Sequence, residues 1–169
     1  MQNNLEREFI KLDAQSDLFF LAKDILGYRD LTKRTHGQLC QMLQARTPKS
    51  KLIVCPRGSF KSSLGVVSFA IFRAIQNPNV RILIDSELYT NSSNFIREIR
   101  GHLESKLMVL LFGEFKTKID WTQGTLTIAQ RTRNLKESTF TASGIGAEKT
   151  GQHYDIIIAD DLNSPSNSQ

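Results

Sequence analysis

The residues from Lys51 to Leu64 constrain this 169-residue chain more than any other stretch; they read Lys-Leu-Ile-Val-Cys-Pro-Arg-Gly-Ser-Phe-Lys-Ser-Ser-Leu. Residues 52–55 are apolar, with β-branched Ile53 and Val54, and predict a buried strand. Pro56, Gly58 and Ser59 then break the run, Lys61 and Ser62 follow, and an apolar helical pattern begins at Leu64. Strand, turn, Lys-Ser and helix together make the context of a phosphate-binding loop. The turn aims backbone N–H groups inward, and the helix start adds unsatisfied donors and a positive dipole end. On this reading Arg57, Gly58, Ser59, Phe60, Lys61, Ser62 and Ser63 surround a nucleotide's phosphates. Lys61 reaches the β- and γ-phosphates, and the Ser62 hydroxyl sits on Mg²⁺. The consensus G-x-x-x-x-G-K-[ST] has glycine where this chain has Cys55 and Phe60; Gly58 alone lies inside the loop. The competing reading is a plain strand-to-helix turn with a solvated lysine.

Composition removes several function classes. Hydrophobic content of 40% and charged content of 23% describe a globular chain. No apolar run approaches the roughly 20 residues that span a bilayer, and the N-terminus lacks the pattern of a signal peptide. The reading is therefore a cytosolic protein. Cys40 and Cys55 are too few for a disulfide framework, and with three histidines they form no metal-ligand pattern. A net charge of +5 and a pI of about 9.4 favour a polyanionic partner.

Periodicity supplies the elements around the loop. A helix is expected over 3–12, with Leu5, Phe9 and Leu12 at helical spacing. A second runs over 17–26, capped by Ser16 and stopped by Gly27, with Leu18, Leu21, Ala22 and Ile25 on its apolar face. A third begins at Thr35, where Thr35 and Gln38 fit a capping box, and Leu39, Met42 and Leu43 face inward. Gln38 or His36 could instead read an adenine edge. Residues 63–76 form the helix after the loop, with Leu64, Val67, Ile71 and Ile75 along one side. Residues 80–85 form the next strand, so that a parallel β-α-β unit is expected. A long helical pattern covers 87–112 with an interruption at 91–94. Residues 119–121 and 125–130 flank a Thr-Gln-Gly hairpin turn with Trp121 as core anchor. Strands are expected over 138–143 and 155–160, with a glycine-bearing loop over 144–151.

The last of these strands carries the second half of the site. It reads Asp-Ile-Ile-Ile-Ala-Asp, followed by Asp161. A buried parallel strand delivers its C-terminal residues to the sheet edge where ligands bind. Asp160 there holds Mg²⁺ with Ser62, and Asp161 orients or deprotonates the attacking water. Adjacent strand residues point to opposite faces, so both carboxylates reach one site only if the chain turns at Asp161. Solvated aspartates at an ordinary strand end are the alternative.

Pro-Arg-Gly-Ser-Phe-Lys-Ser-Ser (residues 56–63), then Gly-x-x-Tyr-Asp-Ile-Ile-Ile-Ala-Asp-Asp (residues 151–161), resembles the ATPase domain of the large terminase subunit of tailed bacteriophages. The resemblance spans about 35–161 and rests on these two motifs. It implies an α/β, RecA-like P-loop NTPase fold, a mostly parallel sheet flanked by helices. It implies a helical segment over 1–50 leading into an ATPase core over 51–169. It implies ATP and Mg²⁺ as ligands, with Lys61 on the phosphates, Ser62 and Asp160 on the metal, and Asp161 at the position of the catalytic acid. Arg57 sits where terminases place an arginine that stabilises the transition state, and Lys149 where some members carry a basic residue facing a neighbouring subunit. The implied activity is ATP hydrolysis driving double-stranded DNA into a procapsid. The implied partners are DNA, a portal protein, a small terminase subunit and further copies in a ring, with no membrane, and the implied location is the host cytoplasm, transiently at the procapsid portal.

The resemblance further implies a strand between the phosphate-loop strand and the 155–160 strand, supplied by sequence after Asp161, and a nuclease domain beyond it. Neither is in these 169 residues. The chain is accordingly expected to be truncated after the Walker B strand, and to hydrolyse ATP slowly or not at all by itself. Two other functions stay open: a helicase-like nucleic-acid translocase, and a non-catalytic nucleotide-binding module that docks a partner through its N-terminal helices.

Overall fold

The computed structural model describes residues 2–148 and 150–162. The chain begins with helix α1 (Gln2–Ser16) and α2 (Leu18–Phe20), which runs on as a π-helical turn (Leu21–Ile25). Asp17 caps α2, its Oδ1 accepting from the amides of Phe19 at 2.8 Å and Phe20 at 3.2 Å. The cap is therefore one residue later than expected: Ser16 is the last residue of α1, and its hydroxyl donates to the Asp13 carbonyl at 3.2 Å. Leu18, Leu21, Ala22 and Ile25 are buried as their spacing requires. The Leu5, Phe9 and Leu12 stripe of α1 is exposed instead, and Ala14 carries the burial of that helix.

Helix α3 (Lys33–Gln44) starts earlier than Thr35. Thr32 is its N-cap and accepts from the Thr35 amide at 3.4 Å. Thr35 lies in the first turn, so the expected Thr35–Gln38 capping box does not form. The His36 ring takes the reciprocal part, its Nδ1 accepting from the Thr32 amide at 3.0 Å. Leu43 faces inward with His36 and Cys40, while Leu39 is half-buried and Met42 exposed.

The expected strand over 52–55 is absent from the sheet. Leu52 and Val54 are 88% and 85% exposed, and no backbone hydrogen bond links this segment to a strand among the described residues. Exposure alternates along it as in a strand, and Ile53 packs against the core. Lys51 anchors its start by donating to the carbonyls of Leu43, at 3.2 Å, and Ala45 at the end of α3. The residues adopt a strand's alternation without a ladder, since no neighbouring strand among the described residues meets their amides and carbonyls.

After the loop, a π-helical stretch (Ser63–Ser68) continues as α4 (Phe69–Gln76). Ser68 Oγ donates to the Ser63 carbonyl at 2.7 Å, five residues back, and fills the widened turn. Leu64, Val67, Ile71 and Ile75 are buried. Strand β1 (Ile82–Ser86) follows, then α5 (Tyr89–Leu103) and α6 (Lys106–Phe112). Helix α5 runs through 91–94 without a break, because the Ser92 and Ser93 hydroxyls bond carbonyls three residues back. The interruption comes at Ser105, which caps α6. Strands β2 (Thr125–Leu126), β3 (Phe140–Gly144) and β4 (Ile156–Asp160) complete the sheet. A Trp121–Leu126 bridge closes the hairpin; Trp121 is half-buried and donates from Nε1 to Glu104 at 2.7 Å.

The protein is α/β with a four-stranded open mixed sheet in the order β2-β3-β1-β4. Strand β1 pairs parallel with both β3 and β4, and β2 pairs antiparallel with β3. One core cluster joins the α2 residues, Leu64, Ile71, Ile84 and Phe140. Among the described residues strand β4 has one neighbour and is an edge, not the fully buried strand that its apolar run suggests; Ile157 is 65% exposed. Among the described residues no helix is long and apolar enough to cross a membrane.

Candidate functional site

Two segments a hundred residues apart meet at the C-terminal rim of β4. Lys61 Nζ lies 3.2 Å from Asp160 Oδ1 and 3.0 Å from Asp161 Oδ1. Ser62 Oγ donates to Asp160 Oδ2 at 2.7 Å. Asp160 is the more enclosed carboxylate, with 10% of its side chain exposed against 77% for Asp161. Hydrogen bonding to Asp161, then the bond and charge of Asp160, hold the Lys61 ammonium above its ordinary pKa despite partial burial.

The two carboxylates converge because Asp161 has a left-handed backbone, φ +49°. That turn brings both acids toward Lys61, where a continuing strand would send the second to the opposite face. The Asp161 carbonyl accepts from the Glu87 amide at 3.3 Å, which ties the turn to the end of β1.

The loop itself is shaped by Gly58 at φ +77° and Phe60 at φ +56°. A left-handed non-glycine residue costs about 1–2 kcal/mol. The Phe60 ring offsets part of that cost by packing edge-on to His36, with centroids 5.7 Å apart. Ser59 Oγ closes the turn by donating to the Pro56 carbonyl at 2.7 Å. The first helical bond runs from the Leu64 amide to the Phe60 carbonyl at 2.9 Å. The amides of Lys61, Ser62 and Ser63 thus have no intrahelical acceptor, and free amides at a helix start are the usual setting for anion binding in proteins.

These residues fit a Mg-nucleotide. Magnesium takes few protein oxygens and completes its shell with water and phosphate. The Ser62–Asp160 pair supplies one hydroxyl and one carboxylate already in contact, with Lys61 beside them for phosphate. No cluster of three or more His, Cys, Asp or Glu suited to a metal occurs among the described residues, and this kind of site needs none.

The other residues singled out in the sequence are placed less centrally. Arg57 is exposed in the turn of the loop. Gln38 is exposed on α3, and His36 is buried against Phe60 with its Nδ1 on Thr32. Lys149 lies outside the described residues. Sequence reasoning missed the end of β1. Ser86 stands in register with Asp160, and the next amide, of Glu87, bonds Asp161. The available signal was a polar run, Asp85-Ser86-Glu87, ending an apolar strand.

A groove of about 1290 Å³ runs from this site along the outer edge of β4. Its lining includes Leu52, Ile53, Ile156 and Ile158, with Lys61, Asp160 and Asp161. No protein-family model and no curated protein matches the chain.

Proposed function

We propose that this protein binds a nucleoside triphosphate with Mg²⁺ through the 56–63 loop and the Asp160–Asp161 strand end, and serves as the ATPase module of a motor that moves double-stranded DNA. The carrying observation is the contact of Lys61 and Ser62 with Asp160 and Asp161, across 98–100 residues of sequence. Solvated strand-end aspartates and a loose surface lysine have no reason to converge with a serine hydroxyl at 2.7 Å.

The residues act as follows. Lys61 and the amides of 61–63 bind and orient the phosphates. Ser62 and Asp160 hold the ion, which supplies charge neutralisation for phosphoryl transfer. Asp161, the more exposed acid, accepts a proton from the attacking water or orients it. Arg57 stands on the loop where it can close over the outermost phosphate.

The motor reading rests on the terminase resemblance of the two motifs, and on a basic chain suited to DNA phosphates. The groove between residues 52–53 and β4 supports it too, since that fold sets a further strand between those two segments. Phe60 favours a second reading. A bulky, left-handed residue at the second glycine position keeps the loop backbone away from the phosphates, as in a nucleotide-binding module without catalysis.

Thermal melts with Mg-ATP test the proposal, because a ligand that binds only the native state raises Tm. At 100 times Kd the gain is about 2.7 kcal/mol. The wild type is expected to shift and Lys61→Ala to lose the shift. Equal shifts in both would overturn the phosphate-loop assignment. Phosphate release by the wild type, however slow, separates the ATPase from the non-catalytic module.

A further inference from the structure

Ser86 closes strand β1 and is 1% exposed, yet its hydroxyl has no hydrogen-bond partner among the described residues. A buried hydroxyl without a partner is costly, and native structures keep few of them. Its position explains the exception. Ser86 pairs in register with Asp160 on one side and with Gly144 on the other. Residues in register on parallel neighbours share a face of the sheet, with strands about 4.8 Å apart. Ser86 and Asp160 therefore stand side by side on the face that meets Ser62. At Gly144 a Cβ would come within 2.8 Å of the Tyr89 amide nitrogen, so the chain following β1 closes tightly over this row.

The hydrogen bonds of Asp160 show what an idle donor there can do. Lys61 and Ser62 satisfy both oxygens of the carboxylate. On the function proposed above, on which this inference rests, nucleotide binding draws Lys61 to phosphate and Ser62 to the ion. The carboxylate then keeps one oxygen toward the ion and loses its donor on the other. We propose that Ser86 is a positioning residue of the cation site: its hydroxyl replaces those lost donors and fixes the orientation of the Asp160 carboxylate. Groups that orient metal-binding side chains in this way are worth 10- to 100-fold in metal affinity.

The test titrates Mg²⁺ against the full chain at fixed ATP and reads the thermal shift, with ATP in EDTA as reference. Ser86→Ala is expected to raise the half-maximal Mg²⁺ concentration about 10-fold or more. The shift by ATP in EDTA holds, and the ligand-free Tm stays level or rises, since an unpaired polar group has been removed. Ser86→Cys, similar in shape with a weaker donor, falls between and carries the test if the alanine variant misfolds. An unchanged Mg²⁺ midpoint overturns the inference. So does a lowered ligand-free Tm with the Mg²⁺ and EDTA arms falling together, which is the mark of a packing role. Lys61→Ala separates the two levels. If it keeps the full nucleotide shift, the binding site itself is misassigned; if it loses the shift while Ser86→Ala leaves the Mg²⁺ midpoint alone, only the role of Ser86 falls.

Discussion

Asp161 combines two demands that few residues meet together. It carries a charge toward Lys61 at 3.0 Å, and it adopts φ +49°. Asparagine and aspartate tolerate the left-handed region through local hydrogen bonding, whereas a β-branched residue does not. Asp161→Asn is expected to leave Tm nearly unchanged and keep the Mg-ATP shift, because only a mostly exposed ion pair is lost. Its phosphate release falls about 100-fold or more, the usual worth of a positioned acid-base group. Asp161→Val removes the same charge but also costs about 1–2 kcal/mol through the backbone. Melts and phosphate-release assays on the two variants check this; equal stability would mean that the turn at residue 161 is not left-handed.

Two elements that line the groove have unpaired backbones among the described residues: strand β4 pairs with β1 alone, and residues 51–55 pair with no strand. The exposed apolar side chains Leu52 and Ile157 line the same groove. Open, apolar edges pair with other chains unless a charge or a covering element prevents it. The wild-type chain is expected to self-associate at micromolar concentration, and Ile157→Lys to reduce that association with little change in Tm. Light scattering across a dilution series reads both. A wild type that stays monomeric at high concentration would show that the edge is protected.

The sheet as a whole is held at its far end by carboxylates that must stay ionised. Arg81 bonds Asp155 through Nη2 at 3.0 Å and Glu137 through Nη1 at 3.3 Å. Asp120 accepts from the hydroxyls of Thr125, Thr127 and Ser138, and so ties the hairpin to the residues leading into β3. Burial works against the Asp120 charge, but the three hydroxyls outweigh it and hold its pKa below the ordinary 3.8. The Arg81 hydrogen bonds lower Asp155 and the His153 amide lowers Glu137 in the same direction. A native pKa below the unfolded one gives stability that is present above the ordinary value and lost as pH falls through the native value. The protein is therefore expected to lose Tm progressively below about pH 5. Asp120→Asn, which leaves hydroxyls without an acceptor, costs about 1–3 kcal/mol at pH 7. Its acid arm is shallower, and the two curves converge at low pH. Parallel melting curves across that range would remove Asp120 from this account.

The local code was legible wherever the information is local. Helical spacing located the buried faces of Leu18, Leu21, Ala22 and Ile25, and of Leu64, Val67, Ile71 and Ile75, because a 3.6-residue period has one inward side in any compact fold. The residues that meet at the rim of β4 were legible for a related reason: a Lys-Ser pair opening a helix and paired acids ending an apolar strand are local patterns. Which caps won, Asp17 over Ser16 and Thr32 over Thr35, was decided by competition between adjacent residues that differ little as acceptors. The fate of residues 52–55 and of β4 could not be read locally. Their apolar, β-branched sequence states a preference for a ladder but not whether a neighbour exists, and only the packed sheet shows one ending at β4. Likewise, the sequence named Lys61, Ser62, Asp160 and Asp161, but their meeting depends on a crossover of about a hundred residues. Ser86 became visible only through that meeting, since a hydroxyl is remarkable only once its neighbours are known.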